Sequence, residues 1–99
     1  MYARVVTVQV QPGKMDEFFR RIRELGPAVR ARRGFHESLF LTEVHTGTVL
    51  GITVWETEAD AKAAPVGGAE GGPLRDLLTT PAVIAYYELS MRAGRSGLS

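Results

Sequence analysis

A few side chains have the chemistry for catalysis or ligand recognition, and they lie far apart along the chain. His36 and His45 are the only imidazoles. Imidazole titrates near neutrality, so His36, on an extended segment, is a candidate general base. His45 falls in a His-Thr-Gly turn signal and reads as solvated; across a strand from His36, it is poorly placed to share a metal with it. Tyr86 and Tyr87 are adjacent and must point to opposite faces of a strand. One enters a pocket and the other the opposite face, and parity alone does not say which. A pocket phenol can hold a substrate oxygen or simply pack with its hydroxyl satisfied. Arg4 and Arg75 can bind an acidic group or steady a phenolate, surface charge being the ordinary alternative. Trp55, the single indole, can stack on an aromatic ring and donate one hydrogen bond, or serve as a large core residue that anchors the helix after it.

The composition narrows the chemistry further. The chain has no cysteine, which excludes disulfides, thiolate nucleophiles and cysteine-bound metals. With 99 residues and 44% hydrophobic content, it fits one domain with one core. We place that domain at residues 1–92, with 93–99 a polar, glycine-containing flexible tail. Charged residues make up 23%, and the net charge is +1. Residues 14–33 carry 7 cations and 3 acids, the rest 5 and 8, so the positive excess sits on the first helix. That pattern lacks the interleaved basic and aromatic residues of an RNA-binding sheet, and no nucleic-acid partner is expected. No apolar run approaches the roughly 20 residues of a membrane span, and no signal peptide is apparent. The expectation is a cytoplasmic protein without a membrane partner, cofactor or metal. The loop Gly67-Gly68-Ala69-Glu70-Gly71-Gly72 lacks the Lys-Ser/Thr that would follow in a phosphate cradle.

The elements that must position these residues follow from hydrophobic period and turn chemistry. Valine-rich Tyr2 to Val10 reads as a strand, ended by Gln11-Pro12-Gly13. Met15, Phe18, Phe19, Ile22, Leu25 and Val29 then step by three and four, which is one face of a helix. Gly26-Pro27 should kink it and Gly34 should stop it. Phe35 to Val44 and Thr48 to Glu56 read as a hairpin turned at His45-Thr46-Gly47. Thr57-Glu58-Ala59-Asp60 has the form of a capping box for a short helix through Ala64. A glycine-rich loop follows, then a helical turn or two within Leu74 to Leu78, and Ala82 to Arg92 as the last strand. The order is strand, helix, strand, strand, helix, strand. This is the ferredoxin-like split βαβ arrangement, an α+β fold with a four-stranded antiparallel sheet and both helices on one face.

Helices on one face leave the other uncovered. Yet the last strand is apolar on both, with Val83, Ala85, Tyr87 and Leu89 on one side and Ile84 and Tyr86 on the other. The third strand behaves alike, with Val49, Gly51, Thr53 and Trp55 against Leu50, Ile52 and Val54. The simplest second cover is the sheet of another copy, a homodimer.

On these residues the chain resembles the antibiotic biosynthesis monooxygenase-like domains of the dimeric α/β barrel superfamily. The likeness is carried by Gln11-Pro12-Gly13-Lys14 opening the first helix and by Gly34-Phe35 opening the second strand. It is carried further by Gly51-Ile52-Thr53-Val54-Trp55-Glu56-Thr57-Glu58, a strand ending in tryptophan before a capped helix, and by the closing strand Pro81-Ala82-Val83-Ile84-Ala85-Tyr86-Tyr87-Glu88-Leu89. The resemblance implies a dimeric barrel with a pocket between sheet and helices in each subunit. Some members oxygenate polycyclic phenols with O2 and no prosthetic group; related ones degrade haem, and others isomerise small rings. Fold does not choose among these.

By that resemblance Trp55 lines the pocket, and His36 or a tyrosine such as Tyr87 assists deprotonation. Members of this kind orient substrate with an asparagine, and this chain has none. Thr7, Thr53 or Gln9 are the sterically suitable substitutes, with Tyr86 and Arg4 as further substrate contacts. Haem degraders place an axial histidine on the second helix, but residues 57–78 contain no histidine. The expected activity is a cofactor-independent monooxygenase for an electron-rich phenol or quinol, its small aromatic or hydrophobic substrate being the partner. The alternatives are a non-catalytic binding or assembly module, or an isomerase or cyclase on the same scaffold.

Overall fold

A computed structural model describes residues 1–98. Strand β1 (Tyr2–Gln9) leads to helix α1 (Met15–Arg30), then to β2 (Phe35–Glu43) and β3 (Thr48–Trp55). Helix α2 (Glu58–Ala63), a single 3-10 turn (Arg75–Leu77) and β4 (Val83–Glu88) follow. Strands β2-β3-β1-β4, in that order, form one antiparallel sheet. This is the ferredoxin-like order, with both helices packed on one face.

Each predicted element forms, and the differences lie at its ends. The inward stripe of α1 packs as its period requires: Phe18 is buried, with Met15, Phe19, Ile22 and Leu25 around it. The helix runs on through Pro27, because proline removes one backbone donor only a turn from the end. It closes with Ala31 N–H donating to Pro27 O and Arg32 N–H to Val29 O, each at 3.1 Å. Gly34, with φ of 81°, supplies the left-handed turn into β2, and a Cβ there would strike the Asp60 carboxylate. The capping box is half made: Thr57 Oγ1 accepts from Asp60 N–H at 3.1 Å, while the Asp60 carboxylate lies against Gly34. Strand β4 ends at Glu88, which pairs with Tyr2, and Leu89 N–H donates to Met1 O at 2.9 Å just past it. Beyond β4, β5 (Ala93–Gly94) and β6 (Gly97–Leu98) pair as a minimal hairpin.

The covered face holds two clusters. One contains Val8, Val10, Phe18, Val49, Leu74 and Leu78. The other contains Trp55, Ala61 and Ala64, with Val29, Phe35 and Tyr86 against it. On the open face Leu39, Leu41, Val83 and Tyr87 are solvent-exposed in the single chain. No helix among the described residues is long and apolar enough to cross a membrane.

Candidate active site

The two clusters do not meet. Between them, under α1, lies a cavity of about 370 Å³. Its sheet-side floor carries small side chains, Ser38, Gly51 and Thr53, and this is why α1 leaves space there. Phe18, Phe19 and Ile22 wall it from the helix, and Gly67 and Gly68 wall it from the loop. Phe40 leans over Gly51, so that a Cβ at Gly51 would sit 3.1 Å from its ring. The Phe40 ring also stands edge-on to Phe19 with centroids 6.1 Å apart. The walls are therefore aromatic and aliphatic, as in small-molecule pockets of this size.

One buried charge interrupts them. Arg4 lines the cavity and is only 5% exposed. Strand parity puts it on the same side as Val6 and Val8, so the side chain must enter the core. Its guanidinium Nη1 donates to the carbonyls of Ala61 and Ala64, which end α2 and lack helical partners. Arg32 Nη2 donates to the adjacent Ala63 carbonyl at 3.0 Å. The guanidinium carbon also lies 5.9 Å from the centre of the Trp55 ring. Arg4 Nε, though buried, has no hydrogen-bond partner. Burial pushes the Arg4 pKa below its ordinary value, opposed by Tyr86 and reinforced by the Arg32 charge. A guanidinium remains a cation even so.

Thr53 pairs with Arg4 across β1 and β3, and Tyr86 pairs with Arg4 across β1 and β4. The three form one row on the covered face. Thr53 is 8% exposed and lines the cavity. Its Oγ1 accepts from Trp55 Nε1–H at 2.8 Å, which leaves the hydroxyl's own hydrogen as a donor. Trp55 is 0% exposed and stands edge-on to Phe35 at 5.5 Å. It braces Arg4 and Thr53 from beneath without lining the cavity. Tyr86 packs on the Trp55 cluster, with Lys62 Nζ 5.4 Å from its ring centre.

The remaining candidates lie elsewhere. Tyr87 is on the open face and 57% exposed. Thr7 pairs with Leu50 and Val83, and by parity shares that open face. His36 is the extra residue of a β-bulge between Phe35 and Glu37. Its Nε2 meets Glu56 Oε2 at 2.5 Å on the surface. His45 is exposed at the hairpin tip, and Gln9 Oε1 accepts from Thr48 Oγ1 at 2.9 Å near that same turn. Arg75 binds Leu78 O at 3.1 Å beneath the loop. The structure thus brings together Arg4 and Thr53, with Trp55 and Tyr86 behind them, and leaves His36, Tyr87, Thr7, Gln9 and Arg75 outside. Arg4 corrects the surface-charge alternative: it is one of the most buried polar residues of the chain. Its signal was the pattern Arg4-Val6-Val8-Val10, a cation in register with an inward apolar stripe. Ser38, Phe40, Arg23 and Arg30 also line the cavity and were not singled out from the sequence.

Residues 1–64, which include β1, α1, the hairpin and α2, match the family model described as antibiotic biosynthesis monooxygenase. The chain belongs to this family. A search of curated proteins gives no significant match. Among solved structures the chain is similar to the NE2512 protein of unknown function from Nitrosomonas europaea, at 20% identity and a TM-score of 0.76, covering 97% of this chain and 95% of that one. It is similar to the haem-degrader MhuD from Mycobacterium tuberculosis, solved with two haems in its active site, at 19% identity and a TM-score of 0.73, covering 95% and 100%. A candidate antibiotic biosynthesis monooxygenase from Nitrosomonas europaea gives 16% identity and a TM-score of 0.71, covering 89% and 97%. At these identities the likeness establishes the fold, and this family member's chemistry must be argued from its own cavity.

Proposed function

We propose that this protein is a cofactor-independent monooxygenase whose cavity holds an electron-rich phenol, quinol or anthrone, and that it works as a homodimer joined through the open sheet faces. The observation that carries the reading is the buried Arg4, with an unpartnered Nε, in an otherwise apolar cavity of about 370 Å³. A cation in a low-dielectric site favours the ionised form of a neighbouring hydroxyl, so Arg4 would lower the substrate's pKa. Thr53 adds a hydroxyl donor. Among the described residues no carboxylate or imidazole lines the cavity, and the proton therefore leaves to water.

With an anthrone-type substrate the ring CH2 loses a proton, and the resulting enolate oxygen lies against Arg4. The anion passes one electron to O2, and the radical pair joins to form a C–O bond. The peroxide anion so formed takes a proton, and the hydroperoxide then loses its remaining C–H proton as the O–O bond breaks, releasing water and leaving a carbonyl. One atom of O2 ends in the product and one in water. The apolar walls exclude bulk water from the radical pair.

The haem chemistry of MhuD does not transfer to this cavity. Haem iron takes an axial ligand from His, Cys, Met or Tyr, and none of these lines the cavity among the described residues. A second reading, a binding module without turnover, is favoured by the same lack of a base on the wall.

The test is oxygen uptake by metal-stripped protein with anthrones, naphthalene diols and hydroquinones, beside an Arg4→Lys variant. Uptake above the spontaneous rate is expected, lowered by about tenfold or more in the variant, since lysine keeps the charge but loses the planar fork. Binding of a naphthol without uptake would replace the oxygenase with the binding module. Failure of every aromatic to bind would remove the cavity from consideration altogether.

A further inference from the structure

Arg4 is not the only cation on the cavity wall. Arg23 and Arg30 also line it, and no Asp or Glu does so among the described residues. Both are solvent-exposed and therefore sit at the opening. They lie seven residues apart, on one stripe of α1 about two turns apart. Gly26 lies between them on that stripe and also lines the cavity. Its backbone is ordinary helix, where glycine costs about 1 kcal/mol relative to alanine. The missing side chain has another use: a Cβ there would lie 2.8 Å from Arg30 Nη1. Gly26 leaves the space into which the Arg30 guanidinium folds at the cavity mouth.

Several cations elsewhere on the surface are neutralised by carboxylates. Arg20 pairs with Glu17 and Glu24, and Arg21 with Glu17 and Asp76. Lys62 pairs with Glu58, and Arg92 with Glu37. Arg23 and Arg30 have no carboxylate within ion-pair distance among the described residues; Lys14, Arg32, Arg33 and Arg95 share that state, but none of those four lines the cavity. A ligand entering this mouth meets two unneutralised guanidiniums, then aromatic walls, then a third guanidinium inside.

We propose that the substrate is an aromatic acid, a ring system bearing a carboxylate, with the ring between Phe18, Phe19 and Phe40 and the carboxylate held by Arg23 and Arg30 at the opening. This rests on the cavity being the substrate site and specifies its class of occupant. Guanidinium matches a carboxylate with two parallel N–H···O bonds, and two unpaired guanidiniums at one opening supply both attraction and orientation. With the carboxylate outermost, the far end of the ring is directed inward to Arg4 and Thr53.

The test is calorimetric titration of the full chain with 6-hydroxy-2-naphthoate and with its methyl ester, which has the same ring and no charge. The acid is expected to bind about tenfold tighter at low salt, and the advantage should shrink near 0.5 M NaCl. It should disappear in an Arg23→Gln/Arg30→Gln variant, whose changed residues are exposed and leave the core intact. It should persist in Arg33→Gln, a control at an exposed arginine off the cavity wall. Equal affinity for acid and ester overturns the inference while leaving the cavity reading in place. A preference that survives the double substitution also overturns it, and absence of binding by either probe overturns inference and cavity together. Binding with the expected preference but no oxygen uptake would sink the oxygenase and leave the aromatic-acid site standing.

Discussion

The sheet is apolar on both faces, but the two faces use that character differently. On the covered face the apolar surface is interrupted. Gly51, Ser38 and Thr53 are too small to reach α1, and Arg4 places a charge among valines. The core accordingly splits into a cluster around Phe18 and one around Trp55, with a cavity between. On the open face Leu39, Leu41, Val83 and Tyr87 meet solvent in the single chain, and Arg92 reaches across to Glu37 with Nη2–H donating at 2.7 Å. A face that is apolar apart from Thr7 and one ion pair is suited to another flat surface, whereas a face broken by small residues and a buried charge encloses a space that a small molecule can fill. What distinguishes the two faces is where the small and charged residues fall along each strand.

The largest expected effect is at the sealed end of the covered face. Trp55 has no exposed surface, donates to Thr53 and underlies the Arg4 guanidinium. Trp55→Ala should lower stability by about 3–5 kcal/mol, because a large buried ring is lost and the cavity already beside it limits relaxation. Denaturant unfolding measures this. A loss below about 1 kcal/mol would mean that the Trp55 cluster is not core and that the two-cluster description is mistaken.

The open face gives the next effect. If it joins two copies, a carboxylate placed on it enters the interface twice by symmetry. Leu41→Glu, at a residue exposed in the single chain, should leave monomer folding intact. It should weaken dimerisation by about 3 kcal/mol, on the order of a hundredfold in Kd. Light scattering across a dilution series reads both. A wild-type mass of one chain at every concentration would refute the dimer and leave this face to some other partner.

How much of this was legible in the sequence depended on whether a residue obeyed a simple period. The stripe from Met15 to Val29 and the turn at Gly47 did, and the fold followed from them. The covered position of Tyr86 became readable only once register put it beside Arg4, because both faces of β4 are apolar. Strand parity points His36 toward the pocket, and the structure places it on the surface for a different reason. The bulge between Phe35 and Glu37 inserts one residue, and nothing in Gly34-Phe35-His36-Glu37 announces it. Arg4 sat on the inward parity of β1 all along. What the sequence lacked was the partner that makes burial of that charge tolerable: the carbonyl end of α2, some sixty residues away. The rim cations were invisible for a similar reason. Helix spacing shows that Arg20 has Glu17 and Glu24 beside it and that Arg23 has no carboxylate, but only the packing of α1 on the sheet puts Arg23 and Arg30 at the mouth of a cavity.

The smallest effect concerns how the loop wall of the covered face is held. Arg21 Nη1 binds Asp76 Oδ1 at 2.7 Å and Pro73 O at 2.9 Å, and Arg21 Nε meets Glu17 Oε1 at 3.2 Å. These contacts tie α1 to the segment that carries Leu74 into the cavity. Hydrogen bonds from Arg20 and Arg21 hold the Glu17 pKa below its usual range, and one from Arg21 does the same for Asp76. A carboxylate with a depressed folded-state pKa contributes stability that is fully present above its ordinary value, roughly 4. That contribution is lost as pH falls through the depressed value. The side chains are open to solvent, so the contribution is small and sensitive to salt. Asp76→Asn should therefore lower Tm by no more than about 2 °C at pH 6 in low salt. The difference from wild type should close as pH is lowered below about 4 and on through the depressed range in which the wild-type carboxylate also becomes protonated. A difference that stays constant through that range would show that Asp76 acts through its shape or its neutral hydrogen bonds. The covered face would then be closed by packing alone, without the charged strap across α1.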